Sequence, residues 1–180
     1  GRRVEAAQQR APEQCDQARA DANRTPYRFA DVLGPAFTDG NTPLVKQLFR
    51  NVQKDISAAV DPVKKRWDRS RPFVASDQID PCLSRPSSAS FPSGHSTFGN
   101  LTAIILARMV PEKSEALLER GKLFARQRLV GGVHFPSDVA GGALAAQALA
   151  DALFADQAFL ADYANAKTQL RAALGLPPTP

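Results

Sequence analysis

Among 180 residues only two are histidines, His95 and His134, so any reaction that needs an imidazole must use one or both of them. Each stands beside a helix-start signal. In Pro92-Ser93-Gly94-His95 the glycine permits close backbone approach. The helix predicted to follow directs free N–H groups and the positive end of its dipole at whatever lies there. That is an anion site with an imidazole in it. In His134-Phe135-Pro136-Ser137-Asp138, a carboxylate four residues on can accept the proton of one ring nitrogen and leave the other with its lone pair. That arrangement describes an oriented nucleophile or base. Cations lie at helical spacing nearby: Lys64 and Arg71 are seven apart, two turns along one face, and Arg128 sits six before His134 at the end of its own predicted helix.

The elements that must position these residues are helical. Strand signals are scarce, and apolar residues recur at helical spacing without a fixed-period repeat. The clearest helix starts at Thr42-Pro43, with Leu44, Leu48, Val52, Ile56 and Val60 every fourth residue. Asp61-Pro62 repeats the cap-and-proline signal, which predicts a separate, shorter basic helix from Val63 to Arg71, stopped by Pro72. A Pro/Ser/Asp-rich loop runs to about Ser90, with Ser87, Ser88 and Ser90 read as flexible and, as a second reading, as rimming a substrate entrance. From Phe98 to Val110 the chain is apolar. Glu112 to Leu129 is amphipathic, with Leu117, Leu118, Phe124 and Ala125 inward and Gly131-Gly132 as its stop. A small-residue helix from Pro136 to about Phe154 and a last helix to about Leu174 complete the series. In the former, Gly141-Gly142-Ala143 and Ala145-Ala146 predict a close helix–helix contact. The expected architecture is one all-α helical bundle over 1–180, with a loosely packed N-terminal segment (1–24, broken at Pro12) and a frayed tail (175–180). Lys65, Arg66 and Arg69 are read as surface charge and Trp67 as core.

Composition narrows the classes. The chain is 43% hydrophobic and 23% charged, and its Lys+Arg 23 against Asp+Glu 18 give a net charge of +5. With a mean hydropathy of −0.28 and a pI near 9.6, these values fit a globular domain that favours anionic partners. Two cysteines are too few for a zinc finger, an iron–sulfur protein or a disulfide-dense scaffold. Cys15 and Cys82 are either bridged across a long loop or free thiols, and spacing alone leaves both open. No run is long and apolar enough to span a membrane; Gly141 to Leu160 is interrupted by Gln147, Asp151, Asp156 and Gln157. The opening Gly1-Arg2-Arg3-Val4, without methionine or apolar stretch, leads us to expect a processed or truncated start.

Taken together, Lys64-x6-Arg71-Pro72, Pro92-Ser93-Gly94-His95 and Arg128-x5-His134-x3-Asp138 resemble the three-part signature of the phosphatidic-acid-phosphatase type 2 and vanadium haloperoxidase superfamily. Within it, the chain is most similar to the soluble periplasmic non-specific acid phosphatases of bacteria. The resemblance implies a helical bundle and a metal-free phosphomonoester hydrolase working through a phosphohistidine. It implies that His134 attacks phosphorus, that Asp138 orients it and that His95 protonates the leaving oxygen. Lys64, Arg71, Arg128, Ser93 and the Gly94 backbone N–H would hold the phosphoryl oxygens. It further implies a small phosphorylated substrate, a periplasmic or secreted location with its signal peptide removed, and no cofactor, with phosphate or vanadate fitting the site as ligands. One position departs from the pattern: Gln127 stands where the family usually has serine, and its amide can still donate a hydrogen bond.

Rival readings keep part of this evidence. The same pocket would hold vanadate in a haloperoxidase, although family haloperoxidases are much longer chains. A lipid phosphate or pyrophosphate is a second candidate substrate class, although most such relatives are membrane-embedded. A non-catalytic anion- or nucleic-acid-binding module would use the basic surface alone. Against that last reading, aromatic content is 7% and no aromatic–basic interleaving suggests base stacking.

Overall fold

The computed structural model describes residues 10–178, and every regular element among them is helical. Its centre is α5 (Gly94–Met109), so apolar that Phe98, Leu101, Ile105, Leu106 and Met109 are all buried. A helix apolar on nearly every side must be surrounded. Around it pack α3 (Pro43–Trp67), α6 (Ser114–Val130), α7 (Pro136–Leu153) and α8 (Gln157–Ala173). Three shorter helices, α1 (Pro12–Ala20), α2 (Ala30–Leu33) and α4 (Pro72–Ala75), tie the loops to this body.

The helix starting at Pro43 runs straight through Asp61-Pro62 and ends at Trp67, so the predicted second helix is a continuation of the first. A proline inside a helix strands the carbonyl four residues earlier. Here that residue, Ala58, is exposed, so water can satisfy the carbonyl and the helix continues. Asp68, in the left-handed region at φ 39°, then ends it. The buried stripe of α3 is Val45, Leu48, Phe49, Val52, Ile56 and Val60, whereas Leu44 faces solvent. Two other burial expectations are overturned. Trp67 is 65% exposed, with its ring centroid 5.4 Å from that of Phe91, and Leu118 is 39% exposed, because the inner face of α6 is carried by Leu117, Gly121, Phe124 and Ala125.

Close approach of α7 to the N-terminus of α5 depends on Gly142. A methyl group there would stand 2.5 Å from the Ser93 carbonyl oxygen, so a side chain would push the two helices apart. Two hydrogen bonds reinforce the contact: Ser93 N–H to the Asp138 carbonyl (3.0 Å) and Ser96 Oγ to the Val139 carbonyl (2.6 Å). The segments carrying the two histidines are thereby fastened to each other.

Residues 12–21 are tied down rather than loose. Cys15 is bridged to Cys82, Ala18 packs beside Leu83 and Val133, and the buried Asp21 carboxylate accepts two bonds from Arg120 and one from Arg28. The bridge decides between the two readings left open by spacing, and it fits an oxidising compartment. Of the segment expected to be loose, residues 1–9 lie outside the described residues. Of the tail, 179–180 lie outside them, while Leu176 packs on the core and the Pro177 carbonyl accepts from Arg171. Among the described residues, no helix is long and apolar enough to cross a membrane.

Candidate functional site

One cleft of about 240 Å³ gathers most of the residues singled out from the sequence: Lys64 from α3, Arg71 at the start of α4, Gly94 and His95 at the start of α5, Arg128 near the end of α6, and His134 just before α7. Ser93 and Asp138 stand behind its wall. Three separate sequence segments thus converge because α3, α5, α6 and α7 all present one end here.

His134 is held on both sides. Its Nδ1 lies 3.3 Å from Asp138 Oδ2, and its Nε2 lies 3.0 Å from Arg71 Nη1. A guanidinium only donates and a carboxylate only accepts, so the proton sits on Nδ1 and the lone pair on Nε2. Burial pushes the imidazole down to about 4; the Asp138 hydrogen bond opposes that, and the Arg71 and Arg128 charges add to it. Asp138 is fully buried. Burial alone would raise its pKa, but hydrogen bonds from His134, Ser90 Oγ (2.6 Å) and the Phe135 N–H (2.8 Å) outweigh that and bring it to about 2. Its other oxygen accepts from Arg69 Nη1 at 2.7 Å. Arg69, read from the sequence as surface charge, is therefore part of the site; its guanidinium also lies over the Phe135 ring, 4.3 Å from the centroid.

The cations are strongly coupled. Lys64 Nζ donates to the Ala89 carbonyl (2.5 Å), and burial, then the neighbouring Arg71, lowers its pKa to about 8. Arg71 is anchored by the Ser88 carbonyl (2.8 Å), the Ser88 hydroxyl (3.1 Å) and the Val133 carbonyl (2.9 Å). Arg128 is only 3% exposed, yet its Nε and Nη1 have no hydrogen-bond partner among the described residues. Burial, then Arg71 and Arg24, depresses its pKa to about 10, so it stays charged at ordinary pH. A buried guanidinium without a counter-ion is costly, and such donors mark a place built for an incoming anion.

His95 is fixed by its backbone neighbour across the cleft. Its Nε2 donates to the Ala22 carbonyl at 2.9 Å, which leaves Nδ1 available to the cleft chemistry. Burial, then Arg128, pushes it down to about 3. Ser93 caps α5, accepting the Ser96 N–H at 3.2 Å, and its hydroxyl proton remains to be donated elsewhere. Gln127 does not line the cleft: it is buried against α1, with Nε2 3.5 Å from Gln17 Oε1. The departure at that position is therefore absorbed by a helix contact outside the cleft lining.

Both imidazoles are neutral in the folded state and would titrate near 6.5 when unfolded. Their stabilising contribution is complete above that pH and is lost as pH falls toward the folded values of about 4 and 3. By pH 5 the loss is about 2 kcal/mol for each histidine. A drop in melting temperature of about 10 °C from pH 7.5 to 5 is the expected outcome. In a His95→Gln variant the drop should be roughly half as large, as scanning calorimetry would show.

Sequence reasoning missed Arg69 and Arg24, and it read Ser88 and Ser90 first as flexible loop, whereas Ser88 holds Arg71 at the cleft and the buried Ser90 holds Asp138. For Arg69 a signal existed: it precedes Arg71 by two, and residues two apart in extended chain face the same side. For the serines and Arg24, which sit in loops, no periodicity could have singled them out.

The sequence profile of the PAP2 superfamily matches residues 53–160, a span that holds every one of the predicted site residues. The chain belongs to the PAP2 superfamily. Among its relatives, an "Acid phosphatase" of Zymomonas mobilis is 36% identical over 135 residues, covering 72% of this chain and 49% of that protein. A "Non-specific acid phosphatase" of Salmonella typhimurium is 31% identical over 122 residues (63% and 48%), and one of Providencia stuartii is 27% identical over 146 (78% and 59%). This PAP2 superfamily chain spans about half the length of the curated relatives it matches. Among the described residues, no group of three or more His, Cys, Asp or Glu is placed to hold a metal ion.

Proposed function

We propose that the protein is a metal-independent phosphomonoester hydrolase, acting through a phosphohistidine on His134. The observation that carries the reading is the pairing of a lone-pair-bearing His134 Nε2 with the unpartnered Arg128 guanidinium across one cation-lined cleft. Phosphoryl transfer asks the protein for positioning and for charge stabilisation on the equatorial oxygens. Lys64, Arg71 and Arg128 supply the charge, and the Gly94 N–H and Ser93 hydroxyl add donors at the start of α5.

In the first step His134 Nε2 forms a bond to phosphorus as the ester P–O bond breaks. His95 takes up a proton at Nδ1 from solvent when the phosphate dianion enters and offsets the Arg128 charge, and the leaving oxygen then takes that proton while Nε2–H stays on the Ala22 carbonyl. Asp138, pinned by Ser90, the Phe135 N–H and Arg69, remains ionised and stabilises the positive charge that forms on His134. In the second step His95 takes a proton from water as the water oxygen attacks phosphorus; the P–N bond breaks and phosphate leaves. Two displacements give ping-pong behaviour and retention at phosphorus.

The names of the relatives support an acid phosphatase, and the Cys15–Cys82 bridge supports a periplasmic or secreted site of action. Vanadate, an oxyanion of the same shape class as the transferred group, would inhibit. The test is phosphate release in excess EDTA from nucleoside monophosphates, sugar phosphates, lipid phosphates and p-nitrophenyl phosphate. Turnover of at least one monoester, unchanged by EDTA, is expected. Release from none of them, or release abolished by EDTA and restored by a divalent ion, would contradict the reading.

A further inference from the structure

Arg24 has no place in the three-part signature, yet it stands in the cleft. It lies in the loop after α1, where its carbonyl accepts a bond from Gln53 Nε2 at 3.0 Å. Its guanidinium Nη1 lies 3.7 Å from the point a Cβ of Gly94 would occupy, directly over the first turn of α5. Among the described residues its guanidinium makes no hydrogen bond or ion pair, unlike Lys64 and Arg71, whose donors are engaged by loop carbonyls.

Two features set its side of the cleft. Arg24 shares the cleft lining with His95, its guanidinium beside the neighbouring Gly94 and its charge acting on the His95 ring, so it flanks the group that would protonate the leaving oxygen. Arg128, buried deeper, already offers unpaired donors to the transferred phosphoryl. A fourth cation at the leaving-group side is surplus for an uncharged alcohol and well placed for an anionic leaving group.

We propose that Arg24 forms a second anion subsite that binds the leaving phosphate of a phosphoanhydride substrate, such as a nucleoside diphosphate or pyrophosphate. This inference rests on the phosphohistidine reading above. The terminal phosphorus bonds to His134 Nε2 as its bond to the bridging oxygen breaks. That oxygen takes the His95 proton, and the departing monophosphate carries its remaining charge against Arg24. Water then hydrolyses the phosphohistidine, so one anhydride and one water give two phosphates or a nucleoside monophosphate and phosphate.

The experiment compares the wild type with Arg24→Gln and Arg24→Lys. Inhibition constants are measured for inorganic phosphate and for methylenediphosphonate, a P–C–P analogue that cannot be cleaved, against p-nitrophenyl phosphate hydrolysis. Calorimetric titration repeats both bindings without turnover. The wild type should prefer methylenediphosphonate, and Arg24→Gln should cut the ratio of the two affinities about tenfold, the worth of a charge-assisted contact, with Arg24→Lys between them. The kcat/KM ratio for ADP over p-nitrophenyl phosphate should fall in parallel. An unchanged ratio in Arg24→Gln, with both ligands weakened alike or neither affected, overturns the subsite. Loss of the parent reading looks different: no wild-type turnover of any phosphate, while titration still reports whether Arg24 discriminates the two ligands.

Discussion

Replacing His134 with alanine is expected to lower phosphate release by about four orders of magnitude or more while leaving phosphate binding in place. The imidazole supplies the nucleophilic lone pair, and no other histidine besides His95 exists to replace it. Binding should survive because the cations are anchored independently: Lys64 by Ala89, Arg71 by Ser88 and Val133, and Arg128 by its burial in α6. The fold should survive as well. Asp138 loses one partner but keeps Ser90, Arg69 and the Phe135 N–H, so its carboxylate is not left buried and unpaired. Initial rates on p-nitrophenyl phosphate, beside calorimetric titration with phosphate, check both halves of the expectation. Weakened binding with a nearly normal kcat would assign His134 to substrate binding instead.

The second large effect concerns His95 and depends on the substrate. General acid catalysis contributes about 10²- to 10⁴-fold, and only where the leaving group needs the proton. His95→Ala should therefore cost about a thousandfold for alkyl phosphates and far less for p-nitrophenyl phosphate, whose leaving group departs readily as an anion. Burial and Arg128 hold the resting imidazole near 3, so it is neutral until a phosphate dianion enters and offsets the Arg128 charge. Turnover of alkyl phosphates should then fall as pH rises through the raised value in the substrate complex, and this limb should be absent in His95→Ala. Equal losses for both substrate types would remove His95 from the proton-transfer step.

What could be read from the sequence follows from what local chemistry determines. The histidines, Asp138 and the three motif cations were legible because each is fixed by a short spacing relative to a helix end, and the structure brings them to one cleft or its wall. Apolar periodicity likewise located the long helices. Proline at position 62 misled because whether it breaks a helix depends on the surroundings of the Ala58 carbonyl, which spacing does not reveal. Trp67 misled because hydrophobicity predicts burial only on average, and its position falls on the outer face at the end of α3. Arg69 and Arg24 were missed for a different reason. Their roles arise from partners 69 and 70 residues away or more, Asp138 for the first and Gly94 for the second, and no local pattern records such a meeting. The disulfide that secures the Arg24 segment was equally undecidable until Cys15 and Cys82 were seen with Cα atoms 6.0 Å apart.

The central claim is a covalent phosphoryl group on His134, and rapid quenching of the wild type with a ³²P-labelled monoester tests it most directly. Label should appear on the protein within the first turnover, resist base, be lost in acid as phosphoramidates are, and map to the peptide containing His134. Burst-phase labelling should vanish in His134→Ala. Steady turnover with no protein-bound label, accompanied by inversion at phosphorus with a chiral substrate, would show a single direct displacement by water and contradict the account.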